Sequence, residues 1–183
     1  MKEKLDWNVY LRGEINQELA DRVTSQIIDL VKEDDTKPIN LIITSPGGEV
    51  GAGMQILDLI KTLPVNVRMF CVGYAYSMAA VIFASGKAGR YMLPHSRLLL
   101  HLGRTGVDIG TTAADMKMLA KRLEKVDDEI VDIMCRASGK QKKTVQKAMD
   151  HDNVMTAAEA IEFGICDGTG NFEKLWEDNL YNG

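Results

Sequence analysis

The stretch Val65-Asn66-Val67-Arg68-Met69-Phe70-Cys71-Val72-Gly73, followed by Tyr74-Ala75-Tyr76-Ser77-Met78-Ala79-Ala80, decides the fold. Its first nine residues are β-branched and apolar, which predicts a strand, and the small apolar run from Met78 to Ala84 predicts the start of a buried helix. Ser77 stands at the junction. The free N–H groups and positive dipole end of a helix start favour negative charge developing beside a hydroxyl there. Two readings of Ser77 stand at this point: a helix cap, a role serine fills well, or a nucleophile.

Upstream, Ile39 to Ile43 is an apolar run of strand length interrupted only by Asn40, the pattern of a strand covered on both faces. Ser45-Pro46-Gly47-Gly48 turns the chain into a helix carrying Val50, Met54, Ile56, Leu57 and Ile60. Strand, turn, helix and the Val65–Gly73 strand make a βαβ crossover. Before it, Trp7 to Leu11 predicts a short strand, and Asn16 caps a helix with Leu19, Val23, Ile27 and Leu30 or Val31 on one face.

Downstream, Arg90 to Leu93 and Arg97 to His101 predict two short strands around Pro94. The class is α/β with repeated βαβ units. After His101, Gly103, Gly106 and Gly110 mark a flexible polar segment, and Thr111 to Ala137 forms the longest helix. Its stripe of Met116, Leu119, Leu123, Val126, Ile130, Ile133 and Met134 exceeds what the preceding body can cover. A partner subunit is the natural cover, with folding back onto its own domain as the alternative. Lys140 to Met149 is a further helix, Thr156-Ala157-Ala158-Glu159 has capping-box spacing for one ending at Gly164, and Ile165-Cys166-Asp167 is a candidate last strand. Phe172, Leu175 and Trp176 are expected to cover the body.

At 183 residues and 45% hydrophobic content, the chain fits one domain over 1–183. Its net charge of -4 is spread without a basic stripe, which argues against nucleic acid. Cys71, Cys135 and Cys166 are widely spaced, with no CxxC or metal-ligand pattern, so reduced thiols in a cytoplasmic protein are expected, with no metal and no cofactor. No stretch approaches the roughly 18 apolar residues of a membrane span, and the N-terminus has no apolar leader.

Three histidines allow a Ser/His/Asp arrangement to be tested by elimination. His95 follows Pro94 in a turn, His151 lies between two acids as a potential ion-pair partner, and His101 ends an apolar strand within reach of a neighbouring strand–helix junction. His101 is the best base candidate, although a strand-end histidine with a purely structural role remains open. A hydrolytic serine also needs preorganised donors for its oxyanion. The N–H of Gly48, at the mouth of a βα turn, and that of Met78, just after the serine, are the candidates, with an ordinary turn glycine the alternative for Gly48. The Ser45–Gly48 turn lacks the Gly-Lys-Ser/Thr ending of a phosphate-binding loop.

Several unlinked motifs then agree. Ser45-Pro46-Gly47-Gly48, Gly73 to Ala80 with Ser77-Met78, Leu93-Pro94 with Ser96-Arg97 and His101, and Asp150-His151-Asp152 leading to Thr156-Ala157-Ala158-Glu159-Ala160 and Phe163-Gly164 together resemble the ClpP-type Clp serine peptidase family. The resemblance runs from about Val9 to Asp167. It implies a crotonase-like α/β fold with a protruding handle helix, the handle region spanning about 102–136. It makes Ser77 the nucleophile, His101 the base, Asp152 the residue that orients the imidazole, and the Gly48 and Met78 N–H groups the oxyanion hole. The activity implied is serine-type cleavage of unfolded proteins or peptides inside a homo-oligomeric chamber, a tetradecamer of two seven-membered rings, with an AAA+ unfoldase as a family partner.

Some positions depart from the family pattern. Asn40 and Ile42 stand where docking-pocket tyrosines are common, only Met1 to Asp6 precede Trp7, Leu102-Gly103-Arg104 replaces a frequent Gln-Pro, and His151 replaces an arginine. A crotonase-fold acyl-CoA enzyme is the alternative from another class, but it has no role for a complete Ser77, His101, Asp152 set. A non-catalytic ring subunit is the other.

Overall fold

The computed structural model describes residues 6–104 and 111–170. Strands β1 (Asn8–Arg12), β2 (Ile39–Ser45), β3 (Val67–Tyr76) and β4 (Arg90–Met92) run parallel, with β7 (Gly168–Thr169) beyond β4. Helices α1 (Gln17–Glu33), α2 (Val50–Thr62) and α3 (Met78–Ala84) make the successive crossovers. Strand β5 (Arg97–Leu100) pairs in parallel with β3, and β6 (Asn153–Met155) pairs antiparallel with β5. The remaining helices are α4 (Ala113–Ser138), α5 (Lys142–Met149) and α6 (Ala157–Phe163). This is the α/β class with repeated βαβ units that the sequence predicts.

Strand periodicity sorts the side chains. Val9, Leu11, Ile39, Leu41, Ile43, Val67, Met69 and Cys71 join the helices in one main core, while Ile42 and Phe70, on the other face, pack with Val72 and Tyr91. Strand β2 is therefore covered on both faces, as its unbroken apolar run predicts, but its second cover comes from neighbouring strands rather than from helices. Asn40 is 1% exposed on that face, and its amide donates to the Asn8 side chain at 3.0 Å. The predicted caps form: Asn16 accepts from the Leu19 N–H, and Thr156 makes a capping box with Glu159.

Strand β3 changes partners halfway along. Its register with β2 runs to Ile43↔Cys71 and resumes at Ser45↔Ala75, so two extra residues bulge out of β3. Gly73 takes φ +84 in this bulge, a conformation that glycine adopts without strain. Two hydroxyls satisfy the displaced backbone. Buried Ser96 accepts from the Gly73 N–H at 3.0 Å and donates to the Cys71 carbonyl at 2.9 Å, and Thr44 donates to the Val72 carbonyl at 2.7 Å. Before the bulge β3 pairs with β4, through Met69–Cys71; after it, Tyr74–Tyr76 pair with β5.

One expectation is corrected here. The last strand is Gly168–Thr169 rather than Ile165–Asp167: Ile165 and Cys166 are buried, and Asp167 is held by a bidentate pair with Arg90. The long helix divides its apolar stripe. Ile130, Ile133 and Met134 enter the main core, while Met116 remains 47% exposed and Leu119, Leu123 and Val126 are only partly covered. Its own domain thus buries only residues in the C-terminal third of the helix and partly covers the stretch before it. Residues 105–110, including Gly106 and Gly110, and the tail with Phe172, Leu175 and Trp176 lie outside the described residues.

Candidate active site

The partner exchange of β3 brings the candidate residues to one end of β5. In the parallel pairing Tyr76 lies opposite Leu99, and the Ser77 N–H donates to the Leu99 carbonyl at 2.8 Å. In the antiparallel pairing Leu100 lies opposite Asn153. One step beyond that pair, His101 leaves β5 beside Asp152 entering β6. Ser77, His101 and Asp152 therefore come from three adjacent strand ends, although 75 residues of sequence separate the first from the last.

Ser77 is no cap. Its hydroxyl makes no capping bond to α3, and its backbone takes φ 54, the one positive φ of a non-glycine among the described residues. Holding an L residue there costs about 1–3 kcal/mol and persists only where the surroundings impose it. One side of the constraint is the bond to Leu99. The other is Gly47, so close that a Cβ on it would lie 2.6 Å from the Tyr76 carbonyl and 2.8 Å from the Ser77 Cβ. Sequence reasoning selected Gly48 and passed over Gly47. The signal, a glycine in the turn before a crossover helix, gives no hint of which backbone it will meet.

Gly48 takes φ +148, and a Cβ there would run into the Ile15 backbone. The turn is stitched to Ile15 on both sides: the Ile15 N–H donates to the Gly47 carbonyl and the Glu49 N–H to the Ile15 carbonyl, each at 2.8 Å. The Gly48 N–H takes no part and has no acceptor among the described residues. Met78 opens α3, so its N–H lacks an intrahelical acceptor. The Met78 side chain is buried against Gly53 of α2, where a Cβ would lie 2.2 Å from its Cγ. Tyr74 and Tyr76 stack on each other with centroids 5.0 Å apart.

The His101 ring is partly buried, and its Nδ1 lies 2.6 Å from the Leu102 carbonyl. A carbonyl only accepts, so Nδ1 carries the hydrogen, and in the neutral ring the lone pair is then on Nε2. Asp152 does not meet the ring here; its carboxylate accepts from the Arg104 guanidinium. Sequence reasoning did not anticipate Arg104 as that partner, nor Asp127, whose carboxylate accepts from the Gly103 N–H at 2.7 Å. Gly103, expected in a flexible segment, is thereby anchored to α4.

The remaining nucleophile and base candidates lie apart. His95 is exposed in the turn before β5, at the end opposite His101, and His151 is exposed and makes no ion pair among the described residues. Burial pushes the Cys71 thiol up to about 12, and burial also raises that of Cys166, so neither is a thiolate near neutral pH. Among the described residues no helix is long and apolar enough to cross a membrane.

Comparison with known proteins bears on the same stretch. The family model described as Clp protease matches residues 3–171. The ATP-dependent Clp protease proteolytic subunit 1 of Mycobacterium tuberculosis is 36% identical over 160 residues, covering 87% of this chain and 79% of that relative. Proteolytic subunit 2 of Mycolicibacterium paratuberculosis has the same identity and coverage, and subunit 2 of Thermobifida fusca is 36% identical with 78% of its length covered.

Proposed function

Because the chain belongs to the Clp protease family and is thus a serine-type endopeptidase subunit, we propose that Ser77, His101 and Asp152 carry its chemistry, with the Gly48 and Met78 N–H groups as the oxyanion hole. The observation that carries this reading is the strained Ser77 at the β3–α3 junction, beside the strand end from which His101 emerges. The Ser77 Oγ attacks the scissile carbonyl while Nε2 of His101 takes its proton. That proton passes to the leaving amine, and a water activated by the same nitrogen then releases the acyl group. Asp152 stabilises the imidazolium, and the two N–H groups meet the tetrahedral oxyanion, each donor being worth roughly a hundred- to thousandfold in rate.

The family works on peptide substrates within an oligomeric chamber. Here the chamber is formed by two seven-membered rings stacked through α4, and the partly uncovered Met116, Leu119 and Leu123 support that contact. Three free cysteines and the lack of a spanning helix among the described residues suit a cytoplasmic enzyme. An AAA+ unfoldase would have to dock without the tyrosines that Asn40 and Ile42 replace.

The test is labelling by a fluorophosphonate followed by mapping of the adduct, with a fluorogenic peptide assay alongside. The adduct is expected on Ser77, and Ser77→Ala should lose roughly three or more decades of peptidase rate while assembling normally. An assembled wild type that takes no probe, or takes it at another residue, would contradict the assignment.

A further inference from the structure

Four consecutive residues after β5 hold the candidate base and its carboxylate apart. The His101 Nδ1 donates to the Leu102 carbonyl at 2.6 Å, the Leu102 N–H donates to the Met149 carbonyl at 2.9 Å, and the Gly103 N–H donates to Asp127 at 2.7 Å. Gly103 packs closely on α4: a Cβ placed there would lie 2.7 Å from the Leu123 side chain and 2.9 Å from the Asp127 carboxylate. The next residue, Arg104, takes the carboxylate of Asp152. The Nδ1 hydrogen and the carboxylate that should pair during catalysis each have another partner within this short segment.

We propose that Arg104 is a positioning residue that competes with His101 for Asp152 and sets the fraction of subunits with an aligned catalytic set. This rests on the triad reading above and deepens it. The competition is reversible on physical grounds. The two side chains are 66% and 51% exposed, and an ion pair this accessible to water is worth about 0.2–1 kcal/mol. Its removal therefore changes the aligned fraction by no more than roughly fivefold, the factor to which about 1 kcal/mol converts. Such a contact tunes the rate and does not switch it off. Because the pair is solvent-exposed, salt weakens it. Salt acts less on the segment around it, since none of its other three bonds joins two charged groups: two end on the Leu102 and Met149 carbonyls and the third joins the Gly103 N–H to the Asp127 carboxylate.

The test uses the full-length assembled protein. Arg104→Gln should label with a fluorophosphonate and cleave a fluorogenic peptide faster than wild type, by roughly 1.4-fold to fivefold, through kcat with little change in KM. Arg104→Lys, which retains a cation within reach of Asp152, should show less than half of that gain. Raising the salt concentration should speed labelling of the wild type but not of Arg104→Gln, and the wild-type half of this arm needs no variant to assemble. With 15N-labelled histidine, the Nδ1 proton of His101 should move to lower field in Arg104→Gln as the ring turns from Leu102 to Asp152. An assembled Arg104→Gln that is no faster than wild type, a wild-type rate that does not rise with salt, or a low-field proton already present in the wild type would each overturn the proposal. Ser77→Ala serves as the control: if it still labels, the nucleophile assignment fails, whereas its silence beside an unaltered Arg104→Gln removes only the role of Arg104.

Discussion

Ser77 is held in a conformation that a serine does not choose, and the residue that makes this possible is a glycine thirty positions earlier. Gly47 stands at φ +91, where a Cβ would meet the Tyr76 carbonyl, the Ser77 Cβ and the Met78 nitrogen. Backbone atoms cannot rotate away as a flexible side chain can. Gly47→Ala is therefore expected to destabilise the fold by roughly 1–3 kcal/mol and to lower kcat by about tenfold or more, since an ångström of displacement at a nucleophile is costly. Chemical denaturation and peptidase assays on the same preparation measure both, and a fully active, equally stable variant would show that Ser77 does not depend on this contact. Gly48 and Ser77 were legible in the sequence as types of residue at types of junction. The need for Gly47 was not, because it arises from the approach of two turns distant in the chain.

At the scale of elements, one side chain fastens four of them. Arg90 on β4 donates to the Ala84 carbonyl at the end of α3, to the Ala137 carbonyl at the end of α4, and to both carboxylate oxygens of Asp167 before β7. Its side chain is 11% exposed, and its charge meets two helix C-termini, the ends where a cation is favoured. The Arg90 hydrogen bonds hold the Asp167 carboxyl below its usual range. A carboxylate with a lowered folded value contributes stability that is complete above the unfolded titration near about 3.9 and is lost as pH falls through the lowered value. Asp167→Asn should therefore lose less stability than wild type between about pH 5 and pH 3, as read from urea midpoints at each pH. Equal losses would mean that the pair does not couple to folding. The expectation of a strand at Ile165–Asp167 failed in this neighbourhood. The apolar character of Ile165 and Cys166 was real, but it reports burial under α6 and β4 rather than pairing.

For the whole molecule, the uncovered N-terminal part of α4 is the feature with the widest consequence. A 26-residue helix whose first four turns bury no residue gains little stabilisation from its own domain there. Met116→Glu combined with Leu119→Glu should dissociate the assembly while leaving monomer stability within about 0.5 kcal/mol, the usual range for surface changes. Sedimentation and denaturation measure the two separately, and unchanged assembly would remove α4 from the contact. The α/β class, the crossover order and the helix caps followed from periodicity and turn chemistry, because these are local properties of the chain; Ser77, His101 and Gly48 stood out at their junctions as open candidates, and Asp152 came only from the family resemblance. The tertiary structure alone decided which residues meet. A two-residue bulge in β3, closed by the hydroxyls of Thr44 and Ser96, exchanges β4 for β5 and thereby aligns Ser77 with the strand ends of His101 and Asp152. It also gave Asp152 to Arg104 and Gly103 to Asp127. Register and side-chain partnership depend on contacts between segments far apart in sequence, and no local pattern encodes them.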